Sequence, residues 1–211
     1  MLKGIEIKIL FLSINNNWSP HFETELELMA EHKKKGDDIY VLRCSGALSA
    51  CVSNREHRKS VCLRCISRFD QGMQKLAIDQ SSIFTLKKNY NFPQLPKSFR
   101  SLTELKQFCL WNVNFGLAVA STLISELRDH NFDTQKYKGR ITKSLKASVL
   151  IYQSVYETLQ KVRPDLFYIF NGRFFALQCN EMLAWSSRIL MSNALPNPRC
   201  FSSAAALCVA M

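Results

Sequence analysis

The chain has 211 residues, 47% of them apolar, and carries 28 Lys and Arg against 17 Asp and Glu for a formal net charge of +11. That length and apolar content fit one full hydrophobic core and exclude a disordered chain, while a second nucleotide-binding domain would need roughly another 100–200 residues. The basic balance favours anionic partners such as phosphate, nucleotides, nucleic acid or an acidic membrane face, without choosing among them.

In chain order, Ile9-Leu10-Phe11-Leu12 within Lys8 to Ser13 reads as a strand too uniformly apolar to have a wet face, so both of its faces are covered. The apolar run from Ile7 to Ile14 is interrupted by Lys8 and leads into Asn15-Asn16-Asn17, not into a small-residue cleavage site. The expected location is therefore cytoplasmic, with the basic surface able to sit peripherally at the inner membrane face. Ser19-Pro20 next supplies an N-cap and a proline for the first helical position, and Glu23 and Glu25 follow where the helix dipole favours acids. Phe22, Leu26 and Met29 share a helical face, and Lys33-Lys34-Lys35-Gly36 closes the helix. A second strand, Ile39-Tyr40-Val41-Leu42, completes a β-α-β unit with parallel strands.

Ligands gather where the strands of an open α/β sheet end. His21 lies in the first turn of a helix opening on that edge, where it could bind a phosphate or hydroxyl or act as a base near neutral pH; the plainer reading is a surface histidine near a cap. The second strand runs into a segment holding Cys44, Cys51, Cys62 and Cys65, a Cys-x6-Cys-x10-Cys-x2-Cys series whose closing pair has zinc-knuckle spacing. Four thiolates would close a tetrahedral structural zinc site, His57 could replace one of them, and buried free thiols are the alternative. Arg43, Arg55, Arg58, Lys59, Arg64 and Arg68 make the same segment a basic cover over the sheet edge.

Further on, Phe69 to Ile78 is expected as a short helix and Ser82 to Leu86 as a third strand, with Pro93 and Pro96 holding the next stretch irregular. Residues 101–129 have a helical pattern broken near Asn112 to Gly116. Their charge-free run from Phe108 to Ile124 includes Asn112, Asn114, Ser121 and Thr122, which suits a buried core helix better than a membrane span. Residues 131–143 read as an exposed connection, Ser144 to Val162 as a helix ended by Pro164, and Leu166 to Phe170 as a fourth strand. That strand stops at Asn171-Gly172-Arg173, an amide, a flexible turn and a guanidinium where a ligand would lie. The organisation expected is a Rossmann-like domain over residues 1–190 with a Cys-rich loop at 44–65, then an irregular tail over 191–211 with the character of a truncated or frameshifted end. The sheet is expected to be parallel, of about four strands in the order 3-2-1-4, with helices on both faces.

Nothing matches GxGxxG, GxxxxGK[ST] or GxSxG, which argues against dinucleotide redox chemistry, P-loop hydrolysis and a serine hydrolase. Four stretches, Ser19-Pro20-His21-Phe22-Glu23-Thr24-Glu25-Leu26-Glu27, Gly36-Asp37 before a strand ending in Cys44, His57 with Cys62-x2-Cys65, and Phe170-Asn171-Gly172-Arg173, together resemble the N-terminal half of bacterial GT-B-like glycosyltransferases of capsule and surface polysaccharide synthesis. The resemblance spans roughly residues 5–175. It implies an acceptor-binding domain whose His21 and Asn171 to Arg173 turn face an interdomain cleft. His21 would position or deprotonate the acceptor hydroxyl, and Arg173 would pair with an anionic group. It also implies a saccharide or lipid-linked acceptor, and a sugar nucleotide held by a donor domain that is either supplied by a separate chain or lost altogether, so that this chain alone would be weakly active or inactive. The competing expectation is a zinc-stabilised basic module that binds nucleic acid, a reading resting on charge and cysteines alone.

Overall fold

The computed structural model describes residues 6–87, 91–170 and 190–192. β1 (Lys8–Ser13), α1 (His21–Lys35) and β2 (Asp38–Arg43) form the opening unit, followed by α2 (Lys59–Lys75), β3 (Ile83–Thr85), α3 (Leu102–Lys106), α4 (Phe115–Leu127), α5 (Lys138–Val162), β4 (Leu166–Tyr168) and β5 (Leu190–Ser192). The strands make one sheet in the order β3-β2-β1-β4-β5 with every pairing parallel. The expected α/β Rossmann-like sheet with order 3-2-1-4 is therefore present, and β5 adds a further strand outside β4.

Alternation along the strands sends side chains to two cores. Ile9, Phe11, Ile39, Val41 and Tyr168 pack under Phe22 and Met29 of α1 and Phe69 and Met73 of α2. Leu10, Leu12, Leu42 and Phe167 pack against α3, α4 and α5 through Leu105, Phe115, Val119, Leu145 and Val149. Ile9 through Leu12 are at most 1% exposed, which is why the first strand reads as one unbroken apolar run. Asp165 pins the start of β4 to β1, its Oδ2 accepting from the Lys8 amide at 2.8 Å while its own amide donates to the Lys8 carbonyl at 2.8 Å.

Several boundaries differ from the sequence expectation. α1 begins at His21 with Pro20 in the cap position and no side-chain cap, and Gly36 closes it at φ 91, a left-handed backbone that glycine adopts without strain. α2 starts at Lys59, ten residues before the expected Phe69, so Cys62 and Cys65 belong to a helix and not to a loop. α5 starts at Lys138, inside the stretch expected to be an exposed connection. The break within 101–129 is real, because α3 and α4 are separate helices, and α4 is buried among its neighbours as expected of a core helix. No helix among the described residues is long and apolar enough to cross a membrane.

Candidate functional site

The carboxyl edge of the sheet is shaped by the segment joining β1 to α1, residues 14–20, which separates two hollows. The β1 and β4 strands are neighbours although the chain reaches β4 only after β2 and β3, so this edge is a topological switch point, where open α/β sheets offer a crevice.

On the β4 side, Leu12, Ile14, Asn15, Trp18, His21, Glu25 and Phe170 enclose a hollow of about 10 Å3, room for one hydroxyl-sized group. The His21 ring lies 4.2 Å from that of Phe170 and 6.0 Å, edge-on, from that of Trp18. Beneath it is a buried polar cluster. The Ser13 hydroxyl lies 2.7 Å from Asn16 Oδ1 and 2.6 Å from Glu25 Oε2, and all three residues are buried. A serine hydroxyl has one proton and cannot donate to both oxygens. Both bonds form when Glu25 is protonated and donates to Ser13 Oγ while Ser13 donates to Asn16. The electrostatics agree: burial pushes the Glu25 carboxyl up to about 8, against the Ser13 hydrogen bond that lowers it. Tyr168, at the end of β4, has its hydroxyl raised to about 12 by burial and by the Glu25 charge, and that buried oxygen has no hydrogen-bond partner among the described residues.

On the β2 side, Cys44, Cys51, Cys62 and Cys65, with Ile14, Asn17, Asn54 and His57, line a second cavity of about 20 Å3. The four expected cysteines are thus brought together from three places: the end of β2, the following loop and α2. Asn17 Nδ2 donates to the Val61 carbonyl at 3.0 Å and ties the β1–α1 segment to α2. Burial drives the Cys65 thiol up to about 11, opposed by hydrogen bonds from the backbone at Asn16 and Asn17 and reinforced by Cys51 and Cys44; burial likewise raises Cys51, opposed by Ser53. Among the described residues no group of three or more His, Cys, Asp or Glu side chains stands ready-made for a metal ion.

Outside both, Trp18, Val52, Ser53, Asn54, Arg55, Glu56, Arg58 and Val61 border an open groove of about 350 Å3. Arg58 pairs with Glu56, and Arg55 Nε stands 3.6 Å from Glu126, so the groove offers charges of both signs and not a uniformly cationic surface. Trp18 borders the groove and the His21 hollow alike.

Asn171, Gly172 and Arg173 lie outside the described residues. Sequence reasoning missed Ser13, Asn16, Trp18, Glu25, Tyr168 and Phe170. For Glu25 the signal was available: with Phe22 and Met29 it falls three and four residues apart on the apolar face of α1, where an acid is unexpected unless partnered.

No family model matches this chain, and no curated protein matches it in sequence. Among solved structures it is similar to one described as "Structure of CDPS from Staphylococcus haemolyticus", at 12% identity and a TM-score of 0.46, covering 84% of this chain and 83% of that one. At that distance the likeness says nothing of activity.

Proposed function

We propose that this chain is the acceptor-binding half of a GT-B-like glycosyltransferase of surface polysaccharide synthesis, working with a donor domain that holds the sugar nucleotide. The observation that carries the reading is the shared position of Trp18, whose indole borders both a groove large enough for a sugar and the hollow that contains His21. A sugar ring has apolar C–H faces and a rim of hydroxyls. An aromatic wall beside Ser53, Asn54, Arg55, Glu56 and Arg58 matches both, whereas a nucleic-acid backbone asks for a cationic track, which the Glu56 and Glu126 pairings interrupt. A hydroxyl reaching from the groove into the hollow would meet His21, whose ring nitrogens can accept or donate a hydrogen bond, beside a Glu25 that burial holds protonated.

Saturation-transfer NMR of the full chain against monosaccharides, their 1-phosphates and a short oligonucleotide tests this. The expected result is saccharide binding that falls at least about tenfold in Trp18→Ala and that survives 200 mM salt, as contacts not built on phosphate should. Oligonucleotide binding lost over that salt range, with no saccharide signal, would give the case to the nucleic-acid module. In a transfer assay with the donor domain supplied, His21→Ala should lower kcat more than it raises KM.

A further inference from the structure

We propose that Trp111 and its stacking partner Tyr152 form a platform for a neutral saccharide, on the side of the molecule covered by α4 and α5. Neither residue lines any of the three hollows at the carboxyl edge. Leu110 and Val113 exchange backbone bonds, each amide donating to the other's carbonyl at 2.9 Å, and so close a two-residue turn on Trp111 and Asn112. Both of these residues are left-handed, at φ 52 and φ 62. Asparagine and glycine take that backbone readily, whereas a bulky aromatic does not, and a residue held against its backbone preference points to a use for its side chain.

Packing accounts for only part of that ring. Trp111 is stacked on Tyr152, with centroids 5.8 Å apart and planes 20° apart, and stands edge-on to buried Phe115 at 6.3 Å, which is itself edge-on to Tyr152 at 5.4 Å. Its orientation is thus fixed by two neighbours, yet Trp111 stays 47% exposed. Tyr156, one turn beyond Tyr152 on the same face of α5, is 49% exposed and extends the aromatic surface. The chain carries a net charge of +11, but residues 107–125 and 147–156, which hold all of these rings, contain no charged residue. That neutrality selects the ligand. A nucleotide can stack a base on such a ring but finds no cation there for its phosphate. A neutral pyranose sets a C–H face, slightly positive, against the negative face of the indole, and its hydroxyls can meet the exposed Asn112 amide. Rings already held in place lose little freedom when they bind. The platform goes beyond the Trp18 groove and does not depend on it.

The full chain has 3 tryptophans, so labelling with 5-fluorotryptophan gives a fluorine NMR resonance for each, assigned by its loss in the matching single variant. Titration with maltotriose, cellotriose and mannotriose should shift the Trp111 resonance saturably with at least one of them, equally at 50 and at about 200 mM salt, while adenosine 5′-monophosphate should leave it in place. Trp111→Asn keeps a residue suited to the left-handed turn and removes the ring, so binding of that trisaccharide should fall at least about tenfold with the Trp18 resonance of the free protein unmoved. Tyr156→Ala, an exposed change that leaves the stacked pair intact, should weaken binding roughly threefold. A shift at Trp111 alone supports the platform and leaves the groove unsupported; a shift at Trp18 alone does the opposite and overturns the platform. A Trp111 resonance that responds only to the nucleotide would also overturn it. So would one that moves on dilution of the protein without any sugar, because a second copy of the chain would then cover this face.

Discussion

Glu25 is ionised near 4.5 when exposed and stays protonated to about 8 in the fold, because burial penalises its charge more than Ser13 relieves it. Between those values folding takes up a proton, so stability falls as pH rises from about 4.5 to about 8 and is flat on either side. Glu25→Gln keeps the shape and a donor for Ser13 and removes the titration. We expect it to raise unfolding free energy by on the order of 4 kcal/mol at pH 8, with the gain vanishing toward pH 4.5. Urea denaturation of both proteins across that range checks it; a difference that does not change with pH would show that Glu25 is ionised in the fold. The same residue marks the limit of sequence reasoning at this scale. An acid in the first turn reads as a partner of the helix dipole, and Glu23 fills that role at the surface beside Arg68, whereas Glu25 is turned into the core by the same periodicity that buries Phe22 and Met29.

At the scale of elements, β1, β2 and β4 were legible because parallel strands buried on both faces leave continuous apolar runs, and the C-terminal end of α1 because cations and a left-handed glycine close it. α2 was hidden by its cysteines. Counted as zinc ligands they suggest a loop; counted as small hydrophobes, Cys62 and Cys65 continue the helical spacing of Ile66, Phe69 and Met73. The first turns of α5 were hidden by Lys138, Gly139 and Arg140, although Ile141 and Leu145 already carry its buried face. Two glycines now separate packing from propensity. A Cβ on Gly116 would lie 1.7 Å from the Leu105 carbonyl oxygen, since α3 and α4 meet backbone to backbone there and the Gly116 amide donates to the Phe108 carbonyl at 2.9 Å. A Cβ on Gly139 meets nothing within 4 Å. Gly116→Ala should therefore cost about 3 kcal/mol or more, whereas Gly139→Ala should stabilise by roughly 0.5–1 kcal/mol. Melting temperatures moving in opposite directions verify the pair, and a tolerated Gly116→Ala would contradict the close α3–α4 approach.

Across the whole molecule, the central strand β1 ends where all three hollows converge, so the same apolar run that organises both cores also delivers Ser13 and the following segment to the working edge. One ionic tie joins this edge to the far layer. Glu126 of α4, its side chain 5% exposed, meets Arg140 of α5 and lies 3.6 Å from Arg55 of the cysteine-rich segment. Burial raises the Glu126 carboxyl, opposed by the two arginines, so the carboxylate depends on both cations. Removing a cation and removing the charge should then differ in size. Arg140→Ala strands a buried carboxylate and should cost about 1–3 kcal/mol, moderated by the remaining Arg55 and by Arg140 being partly exposed, while Glu126→Gln should cost less than about 1 kcal/mol. The double variant should be more stable than Arg140→Ala alone, because the amide no longer needs a counter-ion. A urea double-mutant cycle gives the answer: additive losses, or an Arg140→Ala no worse than Glu126→Gln, would mean that Glu126 is solvated and that the cysteine-rich segment is held to the helical layer without this ionic tie, by apolar packing and by the Ser49 hydroxyl donating to the Lys143 carbonyl at 2.7 Å.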